Sequence, residues 1–555
     1  MRTKSVNKLA YNRKLFLAIP LILTAFTHLY NPTGFPSIYV DEGHYMRRAL
    51  QVIEGIGHQE VRGSINEFHA YDHPYLGQIF IAVMLKIIGF PFSVGSLDAS
   101  PKSIETLYVA PRILMGLLAI IDTFLVYKIA ERRYNSNVAF IASILFAVMP
   151  MTWLLRRILL DSVLLPFLLA SILFAVYYNT PRKGLKKEKP DSSLVILSGI
   201  FLGLAMLTKI PSITAAPLIV YLFLASDNNR KLRSLAIWIV PVVLIPAIWP
   251  LYAVMHGQFE EWVDGFSWQT NRLTRALFQP QESLYEIDPV LVGFGVTGMV
   301  YGAIKRDFFF VIWLLPYVLF LVWIGYSQYI HLILLLPVLC IAAANLVESI
   351  SNRLKRLSKS QPLRNVGIKL TDFLESESEL ESPQQAQLYR DTKNRNNVLS
   401  FIFSKAAFII ISAVAVFGLI NTTILISTDV NSSFFSGYAS LVRHLPEPDD
   451  DDNEDENSVK VIGPRRWGAY FFWIPKYVFN KNIEFFDYKD AGTDLGINLI
   501  TIREGQSSTV YEDLNMVPVH LDKVENMARQ YNFRAYPYTN MKFNQIPSIE
   551  MRAGY

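Results

Sequence analysis

A succession of long apolar runs separated by short connectors extends from near the N-terminus to residue 427, and it limits this chain to very few architectures. The first run is Lys14 to Tyr30. The others cover roughly 74–92, 107–129, 137–153, 158–178, 193–207, 212–226, 235–254, 287–305, 307–325, 329–347 and 401–427. A bilayer-spanning helix needs about 20 predominantly apolar residues, and most of these runs approach that length. In hydrocarbon every backbone polar group must find its partner inside the segment, so such runs must be helices. With 52% apolar and only 18% charged residues, the expected class is an all-α polytopic membrane protein.

The connectors then set the topology. The basic flank Arg2, Lys4, Lys8, Arg13 and Lys14 puts the N-terminus inside, and so do Lys128–Arg133, Arg182–Lys189, Arg230–Arg233, Lys305-Arg306 and Arg353–Arg395 for their own loops. The net charge of +5 is therefore a topology signal, not a nucleic-acid one. The five internal placements agree with one another and disagree with the N-terminus by one crossing. The conflict disappears if 74–92 does not cross. That run opens on His73-Pro74, closes on Gly89-Phe90-Pro91 and carries Lys86, so it reads as a re-entrant or juxtamembrane helix. Eleven crossings remain. Residues 31–106, the hinge 153–161, the hinge 208–211 and the loop 255–286 all face outside. An uncleaved first helix is expected, because Asn-Pro-Thr-Gly makes a poor cleavage site. The lone cysteine, Cys340, lies in an apolar run and offers no disulfide framework.

Residues 428–555 form an outer tail. Its runs 459–463, 483–487 and 497–502 read as strands with a helix between the first two, so a small C-terminal α/β domain is expected. Asn431-Ser-Ser433 matches an N-glycosylation sequon, a short motif that often occurs by chance.

The chemistry-bearing residues gather on the outer side. Asp41-Glu42, with His44, Tyr45, Arg47 and Arg48, follows the first span by about ten residues. A carboxylate there can act as a general base, or the tandem can hold a divalent cation; the plain alternative is an interfacial pair answering Arg47 and Arg48. Asp72-His73-Pro74 opens the next apolar run: Asp72 can cap that helix, or it and His73 can face the same cavity. Arg157 and Asp161 lie four apart, which on a helix makes either a local ion pair or part of a site. Lys209, against the positive-inside trend, either snorkels or meets a phosphate. Arg112, Arg272 and Arg275 are weaker candidates of that type. Tyr329 fits an aromatic belt, and His331 fits it less well.

Together, Asp41-Glu42-x-x-Tyr45, Asp72-His73-Pro74-x-Leu76, the Arg157-x-x-x-Asp161 hinge starting at Pro150, Gly-Leu-Ala-Met-Leu-Thr-Lys209 and Tyr329-x-His331…Pro337 resemble the GT-C superfamily of integral-membrane glycosyltransferases. The resemblance covers about residues 15–350. It looks closest to the protein O-mannosyltransferase branch and its relative, the lipid A aminoarabinose transferase. It implies a polyprenyl- or dolichyl-phosphate sugar as donor and a protein, glycan or lipid hydroxyl as acceptor on the extracytoplasmic face. Inverting transfer at the plasma membrane would use Asp41 and Glu42 for catalysis. His44, Tyr45, Asp72, His73, Arg157, Asp161, Lys209 and His331 would bind the donor. No cofactor is assigned beyond the divalent cation that the acidic pair leaves open. The implied layout is a catalytic membrane module (1–350), a charged cytoplasmic loop (351–398), a last transmembrane helix (399–427) and the outer domain (428–555).

There are departures. His73-Pro74-Tyr75 stands where the family often has a second proline, and the loop 255–286 is too short for a β-trefoil. Arg466-Trp467-Gly is not the Trp-Trp-Asp-x-Gly of oligosaccharyltransferases, so whole-glycan transfer to asparagine is not expected. The rival of another class is a transporter or flippase, which would more often show repeated halves and helices broken at mid-membrane.

Overall fold

The computed structural model describes residues 2–55, 71–94, 98–180, 192–226, 230–270, 288–324, 329–359, 409–444, 459–463, 473–481, 483–487, 499–503 and 550–554. The chain is mostly helical. Its helices are α1 (Arg2–Leu29), α2 (Val40–Ile53), α3 (Leu76–Ile87), α4 (Pro101–Arg133), α5 (Ser136–Val148), α6 (Leu160–Asn179), α7 (Ser192–Thr208), α8 (Ala216–Leu224), α9 (Lys231–Met255), α10 (Phe259–Thr270), α11 (Pro289–Ile304), α12 (Phe309–Ile324), α13 (Leu336–Lys359), α14 (Ile409–Ile426) and α15 (Ser432–His444).

By length and apolarity, α4, α6, α9, the run Tyr329–Arg353 and α14 can each cross a membrane. α5 joins the 3-10 segment Pro150–Arg156 in a pair bent by 67°. Shorter apolar helices complete the bundle. α3 has 12 residues, a rise of about 18 Å against a hydrocarbon core of about 30 Å, so it is too short to cross unaided.

Burial sorts these helices. α6 is enclosed along almost its whole length, whereas α9 turns Ile239, Val243, Leu244, Ile248 and Leu251 outward, as a lipid-facing helix must. In lipid, helices associate through close packing of small residues. α7 carries Gly199 and Gly203, and a Cβ there would lie 2.6 Å from the Trp238 carbonyl oxygen and 2.7 Å from that of Pro241, on α9. These two positions must be glycine for the helices to meet.

Three 3-10 segments, 150–156, 210–215 and 329–335, lead into α6, α8 and α13 at the same end of the bundle. The C-terminal end of α1, all of α2, the start of α3 and α15 lie at that end too. The strand-like runs of the tail are β1 (Val459–Gly463), β2 (Ile483–Asp487) and β3 (Leu499–Arg503). With β4 (Glu550–Gly554) they form a sheet of order β2-β1-β3-β4. β1 runs parallel to β2 and β3, and β3 is antiparallel to β4. The segment between β1 and β2 contains a π-helical turn, Ile474–Val478.

The sequon expectation fails on geometry. Asn431 is 1% exposed, and its amide nitrogen donates to the carbonyls of Thr33 (2.7 Å) and Pro36 (2.9 Å). A glycan cannot occupy a nitrogen that is already committed inside the fold.

Candidate active site

α2 starts at Tyr39, its N-cap, so Asp41 and Glu42 fall in the first turn, where the helix dipole favours negative charge. Successive helical residues point about 100° apart, so the tandem splits. Glu42 is wholly buried. Its carboxylate accepts from Arg112 Nε (3.0 Å) and Nη2 (2.8 Å), from the Tyr39 amide (3.0 Å) and from the Ile158 amide (3.2 Å). It is the knot between α2, α4 and the segment before α6. Of the two carboxylates expected to do the chemistry or to hold a cation, Glu42 is committed to these donors. Asp41 is partly exposed. It acts electrostatically on Tyr45 and Tyr329, which puts it on the side where the other candidates converge.

Tyr45 lies at the centre of that side. It is 2% exposed, with Asp41, Asp161 and Asp72 all acting on it. Burial and these three carboxylates push its hydroxyl well above the usual phenol range, so it stays neutral. Its ring is 5.6 Å from His44 and 6.4 Å from His73.

Asp72 is buried against Arg48, whose Nη1 donates to it at 2.6 Å, with His44 Nε2 at 3.5 Å. Burial pushes the Asp72 carboxyl up, but Arg48 and then His73 and His44 outweigh it and hold it well below the usual range. His44 moves the other way. Burial first and then Arg48 lower it from 6.5 to about 3, so it is neutral near neutrality. Arg47 Nη2 donates to His44 Nδ1 (3.3 Å), which leaves Nε2 as the protonated nitrogen facing Asp72. His73 is partly exposed, and Gln269 of α10 lies 3.4 Å from its Nε2. α10, a helix in the loop 255–286 that the sequence did not announce, presses Gly265 against the Tyr71 carbonyl: a Cβ there would sit 2.6 Å from that oxygen.

Arg157 and Asp161 do not pair along a helix. Arg157 is in extended backbone before α6 begins, so the four-residue spacing has no helical meaning. Its guanidinium sits among the rings of Tyr39 (5.0 Å), Trp153 (5.2 Å) and Tyr329 (5.7 Å) and donates to the Ser37 carbonyl at 2.7 Å. Asp161 instead takes Lys209, at 2.7 Å, with both groups buried. Lys209 therefore does not snorkel. Asp161 stands in the first turn of α6 and Lys209 just past the end of α7, so both helix dipoles favour the charges they meet. His331 is partly exposed, and its carbonyl accepts from the Tyr317 hydroxyl (2.8 Å). Arg272 and Arg275 lie outside the described residues.

Two arginines matter more than the sequence implied. Arg112, read as a weak phosphate candidate, is the counter-ion of Glu42 and also donates to the carbonyls of Pro32 (3.0 Å) and Pro36 (2.9 Å). Arg156 is 1% exposed and donates to the carbonyls of Thr27 (2.5 Å), Tyr30 (2.9 Å), Asn31 (2.6 Å) and Phe35 (2.9 Å), closing the end of α1. Its neighbour Arg157 drew attention only because it fitted a spacing. Among the described residues no group of three or more His, Cys, Asp or Glu side chains comes together as a metal site.

The arrangement thus brings four carboxylates to one end of the bundle. Three of them, Glu42, Asp72 and Asp161, are at most 4% exposed, and the fourth, Asp41, is partly exposed.

Comparison with known proteins bears on the fold. Residues 103–253 match the family model described as dolichyl-phosphate-mannose-protein mannosyltransferase. No curated protein matches the sequence significantly. Among solved structures, ArnT from Cupriavidus metallidurans in the apo state superposes with a TM-score of 0.56 at 14% identity, covering 91% of this chain and 95% of that one. ArnT bound to undecaprenyl phosphate gives 0.54 at 14% identity, over 88% and 92%. The archaeal oligosaccharyltransferase AglB from Archaeoglobus fulgidus, in complex with an inhibitory peptide and a dolichol-phosphate, gives 0.51 at 11% identity, over 89% and 69%.

Proposed function

We propose that this chain is a GT-C glycosyltransferase that transfers a single sugar, mannose or a related hexose, from a polyprenyl or dolichyl phosphate to a hydroxyl acceptor; the family match over residues 103–253 and the likeness in fold support the reading. The observation that carries the mechanism is the contrast among the four carboxylates. A base must reach substrate, and Asp41 is the one of the four that is not buried. Asp41 takes the proton of the acceptor hydroxyl. That oxygen attacks the anomeric carbon from the face opposite the phosphate, the carbon–phosphate oxygen bond breaks, and the configuration inverts. The lipid phosphate leaves with its charge stabilised by Lys209, which Asp161 holds at 2.7 Å while its remaining N–H donors stay available. Glu42 and Arg157 build the loop behind Asp41. Tyr45, His44, Asp72, His73 and His331 line the sugar and phosphate side.

The same reading places the site on the extracytoplasmic side of the plasma membrane. It also carries the eleven crossings, with α3 as the run that stays on one side, and the division into the module 1–350, the loop 351–398, the last span 399–427 and an outer α/β domain 428–555. The acceptor is a protein Ser/Thr or a glycan or lipid hydroxyl. A divalent cation has no three-residue cluster to hold it among the described residues, so no step is assigned to one.

The test is sugar transfer by purified, detergent-solubilised protein offered polyprenyl-phosphate mannose and polyprenyl-phosphate glucose, with and without chelator. Release of lipid phosphate that needs both a hydroxyl acceptor and Asp41 is expected. No turnover from folded protein with any donor overturns the reading in favour of a transporter of lipid-linked sugars.

A further inference from the structure

The stretch between α1 and α2 is a loop in name only. The Tyr30 and Asn31 carbonyls accept from Arg156 Nη2, Pro32 from Arg112, Thr33 from Asn431, Gly34 from the Val430 amide, Phe35 from Arg156 Nε, Pro36 from Arg112 and Asn431, and Ser37 from Arg157. The Ile38 amide donates to Asn431 Oδ1 at 2.9 Å. Every carbonyl from residue 30 to 37 is therefore held by a side chain or amide from α4, from the segment before α6, or from the chain just after α14. Asn31 answers in kind, its amide donating to the carbonyls of Ile426 (2.9 Å) and Thr428 (3.3 Å). The fit leaves no room: a Cβ on Gly34 would lie 2.1 Å from the Asn31 amide nitrogen. This loop ends at Tyr39, the N-cap of the helix whose first turn carries Asp41.

We infer that Asn431 is a positioning residue for Asp41: its buried amide clamps residues 33–38 from both sides of the backbone and so fixes where α2 begins. The inference rests on the reading of Asp41 as the base. The arginines of the mount come from α4 and from the segment before α6, which pack beside the loop in any case. Asn431 alone among the side chains comes from beyond the last membrane span, 393 residues from Ile38. It makes the start of the tail part of the active site without touching substrate. The Asn-Ser-Ser sequence that frames it is a mounting bracket, not a glycan acceptor.

The experiment compares full-length Asn431→Ala, Asn431→Asp and Ser433→Ala with the parent chain. It reads kcat and KM for polyprenyl-phosphate sugar, and hydrogen exchange over residues 33–39. A buried hydrogen bond is worth about tenfold in an equilibrium, and more when a buried partner is orphaned. Asn431→Ala is expected to lower kcat by about tenfold or more with donor KM unchanged, and to speed exchange of the Ile38 amide by a similar factor. Asn431→Asp keeps the acceptor for Ile38 but turns a carboxylate on the Thr33 and Pro36 carbonyls, and it is expected to lose kcat as well. Ser433→Ala removes the sequon, keeps the amide and is expected to retain the parent rate. A faster-exchanging loop with parent kcat in Asn431→Ala makes the residue merely structural and overturns the inference. So does a loss of rate in Ser433→Ala equal to that in Asn431→Ala, because modification would then be the cause. If the parent chain transfers no sugar, the transferase reading falls by itself. Loop exchange that Asn431→Ala leaves unchanged sinks the mount independently of that reading.

Discussion

Two ion pairs on the same helix show what this fold does with charge. Near the site end of α4, Arg112 meets Glu42 at 2.8 Å with both side chains fully buried. At its opposite end Arg133 meets Asp307, also at 2.8 Å, with both about a fifth exposed. Distance does not separate them; surroundings do. The attraction between two charges scales inversely with local dielectric, and so does the penalty for leaving one alone. The exposed pair fastens the α4–α5 turn to the start of α12 at little cost. The buried pair is costly to assemble and tolerates no vacancy, which is the condition under which a neighbouring carboxylate can be held in one place. Asp72–Arg48 and Asp161–Lys209 belong to the buried kind.

The sharpest way to break this contrast is at the carboxylate the pairs surround. Asp41→Asn is expected to cut transfer about 10²–10⁴-fold, the usual worth of a positioned base, while donor-lipid binding persists; a rate within tenfold of the parent would remove Asp41 from the chemistry. Next in size is Arg112→Met, which removes the nearer of the two counter-ions of Glu42 and leaves it only Arg157, at 3.5 Å. A destabilisation of about 3–5 kcal/mol is expected by thermal unfolding in detergent, part of it recovered in the double variant with Glu42→Gln. A double variant whose loss equals the sum of the two single losses would deny the coupling.

An acid titration sharpens the comparison further. His44 binds its proton only near pH 3 when folded and near 6.5 when unfolded. Between those values the unfolded chain holds more protons, so stability rises with pH through the window and is fully present above 6.5. Asp72, held low by Arg48 and the histidines, acts in the same direction at lower pH: its contribution is present above the ordinary carboxylate pKa and is lost as pH falls through its depressed one. Lowering pH from 7 to 5 should therefore cost about 2 kcal/mol through His44, and His44→Gln should flatten that slope. An equal slope in the variant places the sensitivity elsewhere. The smallest effect is expected at the partly exposed pair: Arg133→Ala should change stability by about 1 kcal/mol and leave kcat alone.

Much of the bundle could be read before it was seen, because apolar length is a one-dimensional property. The runs at 107–129, 158–178 and 235–254 lie within α4, α6 and α9, give or take a residue or two at the ends. The candidate residues stood out as a set, since polar groups at membrane depth are rare. Their pairing was not. Glu42 finds Arg112 70 residues away and Asp161 finds Lys209 48 away, distances at which no local periodicity carries information. Where a local rule was tried, on Arg157 and Asp161, it failed because the backbone between them is extended. Asn431 shows the same limit: a short motif is local, while the partners that decide its meaning lie at Thr33 and Pro36. α10 escaped notice because a short amphipathic stretch rich in Trp and Gln looks like loop.

The mounted segment between α1 and α2 has a consequence in time as well as in space. A ribosome delivers residue 31 early and residue 431 late, with most of the membrane bundle made in between. Until the last span has been inserted and the start of the tail has emerged beside the loop, Thr33, Pro36 and Ile38 lack the amide that holds them. A partly made chain can thus hold its lipid-facing helices in place and still lack a set catalytic arm. On the proposed reading, activity would switch on only once residue 431 has emerged, and a product truncated before it would lack a set catalytic arm.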